Sequence, residues 1–221
     1  EDVRMTGTST LKENELYEYY IAPYRQLLLN GNLESIMTSY NRVNNIPPSA
    51  SVTLLDKLSR KRWGLDGYIV GDCGAVGLVG TTYAYVGDGE YKDMDPSGVV
   101  GAALVLKAGV DNDCIGTSDY YLQAVEEGLI SESELDEALI NMFTVRFELG
   151  LFDENPWSEY GTEYIDTDEN AQAAQEAANE AIVLLENDGI LPLNSEDYSD
   201  KTIALIGPMA EQVVLGQYSG G

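Results

Sequence analysis

Short apolar runs alternate in the N-terminal part of this chain with longer stretches in which apolar residues recur every three or four positions. The first pattern is that of a buried strand and the second that of a helix with one apolar face. Leu16, Tyr19, Tyr20, Tyr24, Leu27 and Leu28 predict a helical run, opened by the capping-box pattern Thr10-Leu11-Lys12-Glu13, split or kinked at Pro23 and stopped at Asn30-Gly31. Ser35 to Tyr40 reads as a strand, and Asn41 to Asn45 as a polar turn ahead of Pro47-Pro48. Thr53 is placed to cap a helix through Leu54, Leu55, Leu58 and Arg62. The turn Asp66-Gly67 then leads into a second strand, Tyr68 to Gly71, closed by Asp72. A glycine-rich loop is predicted from Gly74 to Pro96, and a helix with Val99, Ala103 and Leu106 on its face ends at Gly109. Ala108-Gly109-Val110 reads as a third strand-like piece ending in Asp111-Asn112-Asp113-Cys114. Ser118 caps a helix to Gly128, and Ser131-Glu132-Ser133-Glu134 opens another whose stripe is Leu135, Ala138, Leu139, Met142, Val145 and Leu149.

The order is strand, helix, strand, helix, strand, helix, with a polar residue closing each strand. Tyr40, Asp72 and Asp111 lie 32 and 39 positions apart, a spacing that fits the roughly 31 residues or more that each unit of a (β/α)8 barrel of ~250 residues takes up. The fold class is therefore α/β: the C-terminal part of a (β/α)8 TIM-like barrel over residues 1–152. After it, residues 153–167, with Pro156, Trp157 and Gly161, read as a linker. Residues 168–221 read as the beginning of an α/β sandwich domain, with an alanine-rich helix from Asp168 to about Asn187 and a buried strand at Lys201 to Pro208. A start at Glu1 close to a helix and an end at Tyr218-Ser219-Gly220-Gly221 suggest cuts through a longer protein.

Charge narrows the partners. The chain carries 38 acidic against 12 basic residues, a formal net charge of −26, which argues against nucleic acid and anionic membrane. The acidic residues are scattered, as on a solvated surface. No apolar run approaches the ~18 residues of a membrane span. With no histidine, the chain itself cannot supply a His-based triad, and most catalytic zinc sites are excluded from it. The strand at Ile203 to Gly207 lacks the glycine spacing of a dinucleotide fold, since Pro208 follows Gly207 and the next glycine is Gly216. No cofactor and no metal are expected.

Asp72 is the leading chemical candidate, because the C-terminal tip of a parallel strand is where α/β folds place reacting groups. A turn or helix-cap aspartate is the plainer reading of the same residue. Tyr40 closes the preceding strand, within reach of a carboxylate there, or else packs in the rim as one of 15 tyrosines. Cys73 and Cys114 follow neighbouring strand tips, and the spacing alone leaves free thiols and a disulfide equally open.

These residues carry a resemblance. Ser35-Ile36-Met37-Thr38-Ser39-Tyr40-Asn41-Arg42-Val43-Asn44, Arg62 to Val76, Lys107 to Cys114 and Glu180 to Asn187, in that order, are similar to glycoside hydrolase family 3, the β-glucosidase and β-xylosidase group. The resemblance implies a retaining exo-acting glycosidase with Asp72 as nucleophile, Tyr40 as its hydrogen-bond partner and Met37 as a wall of the sugar subsite. It also implies that the acid/base glutamate and a Lys-His sugar-binding pair lie outside this chain, which alone is expected to be inactive. Gly71 stands where a serine is usual. Cys73 stands where many β-glucosidases carry tryptophan, and the Asp-Cys pair with a second cysteine at the next tip is similar to the β-xylosidase branch. A Cys73–Cys114 bridge there would narrow the space for a glucose hydroxymethyl. A β-xylosidase acting on xylo-oligosaccharides is the implied function. β-Glucosidase, α-L-arabinofuranosidase and a non-catalytic sugar-binding relative are the alternatives. Sequence fixes neither compartment, secreted or cytoplasmic, nor oligomeric state.

Overall fold

The helical spacing that opens the chain gives two helices rather than one in the computed structural model, which describes residues 3–212. A short strand, β1 (Thr8–Ser9), precedes a single turn, α1 (Glu13–Glu15), that widens into a π-helical stretch, Leu16–Tyr20. α2 (Ala22–Asn30) carries Pro23 inside its first turn, where a missing N–H forfeits no hydrogen bond. The cap is not the predicted one. Glu15 reaches back to accept from the Lys12 backbone N–H at 2.9 Å, so the reciprocal acid lies three residues after Lys12 and not after Thr10.

β2 (Ser35–Thr38) follows, and the segment predicted wholly as turn contains β3 (Arg42–Val43), parallel to β1. The carbonyls of Gly7 and Ser9 take the N–H groups of Arg42 and Asn44, so a distant segment supplies the ladder. A π-helix, Thr53–Arg62, has Val52 and not Thr53 at its cap position, and the Ser51 hydroxyl accepts from the Leu54 N–H at 3.3 Å. β4 (Tyr68–Gly71) runs parallel to β2, with Met37 opposite Val70 and Thr38 opposite Gly71.

Beyond β4 the predicted loop contains a helix, α3 (Ala75–Gly80), whose Ala75, Val76 and Val79 are buried. α4 (Gly98–Ala108) is capped at its start by the Ser97 hydroxyl. Gly109 closes it at φ 105°, a left-handed conformation suited to glycine. Ala108 thus belongs to the helix, and the third parallel segment starts later than predicted. The Asp111 and Asn112 N–H groups both donate to the Ile69 carbonyl, and Asn112 bridges Val70 in parallel. α5 (Ser118–Glu126) is preceded by Thr117 at the cap position rather than Ser118. α6 (Glu132–Glu148) opens with the expected Ser131–Glu134 capping box. Of its stripe, Ala138 and Val145 are buried, whereas Leu139 and Leu149 are exposed.

Two units divide the chain, Glu1–Ser158 and Glu159–Gly221. In the first, α4 lies between two apolar clusters. One gathers Leu55, Leu65, Ile69, Val76, Val79 and Val105, and the other gathers Tyr91, Val99, Val100, Ala103, Ala124 and Ile130. α3 and α4 approach so closely that a Cβ on Gly80 would fall on the Ser97 carbonyl. One on Gly101 would lie 2.6 Å from the Gly80 nitrogen. Both neighbours are backbone and cannot rotate away. Gly80→Ala is expected to destabilise this unit by about 1–3 kcal/mol, seen as a lower urea midpoint of the full-length protein with an unchanged m-value.

An ion pair locks the sheet to its helices. Asp111 is nearly buried and accepts from Arg60, from the Ile69 N–H at 2.7 Å and from Asn141 at 2.8 Å, while Arg60 also donates to the Gly67 carbonyl. Burial raises the Asp111 pKa, against the lowering effects of Asn141, the Ile69 N–H and Arg60.

In the second unit, α7 (Asp168–Ala181) is capped by the Thr167 hydroxyl and ends where Ile182 turns extended, short of the predicted Asn187. The Asn187 side chain then organises the turn to Leu191. Residues 201–208 form no strand, and Ile206 is 92% exposed. A strand needs a neighbour to take its hydrogen bonds, and among the described residues of this unit there is none. Residues 213–221 of the predicted sandwich segment, Gly216 and the terminal Tyr218 to Gly221 included, lie outside the described residues.

Candidate active site

The β2–β4 ladder carries on past its last paired residues, because the Asp72 N–H donates to the Thr38 carbonyl at 3.1 Å. Thr38 is itself fixed from below by a buried hydroxyl pair with Ser49 at 2.6 Å. The backbone then turns: Ala75 N–H donates to the Asp72 carbonyl at 2.7 Å, and Gly74 adopts φ 85°, ψ −5°. Those are the third-position angles of a type II turn. Asp72 is thus the first residue of a tight turn at the C-terminal tip of β4, partly exposed, with Oδ1 accepting from the Cys73 N–H at 2.8 Å.

Gly71 explains how the turn fits. A Cβ there would lie 2.7 Å from Cγ2 of Val76, the first buried valine of α3. The bare backbone lets α3 fold back directly behind the carboxylate.

Tyr40 reaches this turn from the next tip. Its hydroxyl donates to the Cys73 carbonyl at 2.6 Å, one residue beyond the carboxylate that the resemblance pairs it with. Arg4 lies over its ring at 4.8 Å. Cys73 and Cys114, both exposed, form a disulfide that ties the β4 turn to the segment after Asn112. Beneath Cys114, Asp113 accepts from the Thr117 hydroxyl, and its buried Oδ1 has no hydrogen-bond partner. Asp72, Tyr40, Cys73 and Cys114 are therefore brought together. Met37 sits on β2, 57% exposed, and lines a cavity of about 290 Å³ with Ile36, Leu55 and Trp63 that includes neither Asp72 nor Tyr40. That cavity is largely apolar, and no carboxylate lines it.

One residue has no sequence signal at all. Tyr83 lies in the stretch predicted as loop, and its hydroxyl donates to the Tyr40 carbonyl at 2.6 Å. Burial raises its pKa, partly offset by Arg42, whose guanidinium lies 4.9 Å from the ring centre. Only the fold brings positions 40, 42 and 83 together. Among the described residues no cluster of His, Cys, Asp and Glu is able to hold a metal ion, and no helix is long and apolar enough to cross a membrane.

The family model "Glycosyl hydrolase family 3 N terminal domain" matches residues 4–145. The chain belongs to glycosyl hydrolase family 3. That N-terminal domain is an α/β, TIM-barrel-like fold. Among curated relatives, "Probable beta-D-xylosidase 6" of Arabidopsis thaliana is 37% identical over 98% of this chain and 27% of its own length. "Beta-xylosidase/alpha-L-arabinofuranosidase 2" of Medicago sativa subsp. varia is 34% identical over 98% of this chain and 28% of its own length. Among solved structures, a family 3 exo-beta-xylosidase in complex with a xylobiose aziridine probe superposes with TM-score 0.70 at 32% identity, over 87% of this chain and 25% of that one. A beta-glucosidase from Listeria innocua gives TM-score 0.65 at 30% identity, over 85% of this chain and 25% of its own. The family 3 chain described here spans about a quarter of the length of these relatives.

Proposed function

We propose that the full-length protein is a retaining exo-β-glycosidase that removes terminal non-reducing sugars, with β-xylosidase action on xylo-oligosaccharides as its specific role. The observation that carries this reading is the partly exposed Asp72 carboxylate at the tip of β4, in a turn held by Tyr40 and by the Cys73–Cys114 bridge. In this mechanism Asp72 attacks the anomeric carbon, and the glycosidic C–O bond breaks as the leaving oxygen takes a proton from a second carboxylic acid. Water then hydrolyses the glycosyl ester, giving up a proton to that same group and returning Asp72, with configuration retained. Residues 1–152 contribute the end of the barrel, 153–167 the linker and 168–221 the beginning of an α/β sandwich. The acid/base comes from outside this chain, which alone is inactive.

The preference for a five-carbon sugar rests on the bridge. A disulfide beside the nucleophile occupies space that a hydroxymethyl group would need, whereas Met37, expected as a wall of the same subsite, lines a cavity apart from Asp72. The names of the xylosidase relatives support it. The beta-glucosidase structures that superpose favour the second reading, a β-glucosidase, and the Medicago name favours a third, α-L-arabinofuranosidase action. kcat/KM on aryl β-xyloside and aryl β-glucoside decides between the first two. An excess of about tenfold or more for xyloside, the worth of one small group in a pocket, is the expected result. A glucoside preference discards the narrowed subsite and keeps the nucleophile. No turnover of any aryl glycoside moves the protein to a non-catalytic sugar-binding role.

A further inference from the structure

The turn that carries Asp72 is built on a glycine at its third position, and glycine accepts the left-handed and the right-handed form of that position alike. Gly74 therefore does not choose its own conformation. A type I turn and a type II turn of the same four residues differ by a flip of the central peptide, which reverses the Cys73 carbonyl. Here that carbonyl is taken by the Tyr40 hydroxyl at 2.6 Å. Tyr40 can hold it only if its own backbone is fixed, and Tyr40 stands beyond the last paired residue of β2. The Tyr83 hydroxyl fixes it, donating to the Tyr40 carbonyl at 2.6 Å. Tyr83 is anchored in turn by Arg42, whose guanidinium lies against its ring while also donating to the Thr6 carbonyl at 2.9 Å.

From this chain of contacts we infer that Tyr83 is a positioning residue for the nucleophile, acting through Tyr40 to hold the Asp72–Ala75 turn in its type II form. The inference rests on the reading of Asp72 as nucleophile. Tyr83 touches no reacting atom. Its role is to keep Cys73 in place, since the Cys73 N–H sets Asp72 Oδ1 and the Cys73 carbonyl is the handle that Tyr40 holds. A misplacement of about 1 Å at a reacting group can cost ~100-fold in rate, so a loosened turn lowers the rate of attack without weakening sugar binding.

The test uses the full-length protein and an aryl 2-deoxy-2-fluoro-β-glycoside, which labels the nucleophile and reports the first chemical step per labelled molecule, whatever fraction has folded. Tyr83→Phe is expected to slow labelling and kcat together by about 5–30-fold, with KM and melting temperature nearly unchanged. In a Tyr40→Phe background, Tyr83→Phe adds no further loss, because the hydroxyl through which it acts is already gone. An unchanged labelling rate in Tyr83→Phe overturns the inference, and so do losses that multiply in the double variant. Peptide mapping separates the two levels. A label on Asp72 with no Tyr83 effect removes only the positioning role, whereas a label on another residue removes the nucleophile reading and this inference with it.

Discussion

Asp72→Asn in the full-length protein is expected to lower kcat by about 10⁴-fold or more while leaving KM within a few-fold and the fold intact. The isosteric amide keeps the acceptor for the Cys73 N–H, so the turn survives and only the attacking charge is lost. A smaller residue gives a sharper signature. Asp72→Gly opens the face from which the carboxylate attacks, and azide entering there yields a glycosyl azide of inverted configuration from an aryl glycoside. Turnover by Asp72→Asn within about tenfold of the unsubstituted protein would place the nucleophile elsewhere.

The second large effect lies in the core and concerns stability. Arg60→Met leaves Asp111 buried with its Asn141 and Ile69 donors but no countercharge, and is expected to cost about 3–5 kcal/mol. That is roughly 10 °C in melting temperature. Its pH dependence identifies the cause. The folded-state pKa of Asp111 already lies above its ordinary value because burial outweighs its partners. Protonation of Asp111 therefore favours the folded state at low pH, and that contribution fades as pH rises through the raised folded pKa. Without Arg60 the pKa rises further, so the variant recovers stability relative to the unsubstituted protein as pH is lowered toward that value. A loss that does not vary with pH would point to packing, not to the stranded carboxylate.

What the chain disclosed in advance was whatever is decided locally. Ser131 and Glu134 cap α6 as their spacing requires, and Pro23 falls in the first turn of a new helix. Tyr68 to Gly71 is a strand because a short β-branched and aromatic run after Asp66-Gly67 has few alternatives. The placement of Asp72, Tyr40, Cys73 and Cys114 around neighbouring tips followed from the recurrence of those strands. What stayed hidden depends on partners distant in sequence. β3 exists because β1 lies beside it, some thirty residues upstream. α3 was obscured by its glycines, which read as loop, although Gly80 serves the close crossing with α4. Tyr83 has no periodic neighbour to mark it, and its meaning appears only once Tyr40 is beneath its hydroxyl. Residues 201–208 show the converse. Their apolar run has strand chemistry, yet chemistry without a neighbouring strand leaves Ile206 in solvent.

The bridge between Cys73 and Cys114 also acts on the chain before it folds. It closes a loop over a sequence separation of 41 residues that contains both α3 and α4. On the chain-entropy account, closing such a loop removes disorder from the unfolded ensemble worth about 4 kcal/mol. The same covalent bond thus narrows the unfolded ensemble and tethers the turn that bears Asp72. A chain made where thiols stay reduced gives up both at once: its helices lose their tether, and the turn that bears its carboxylate keeps only hydrogen bonds, from Tyr40 and within the backbone.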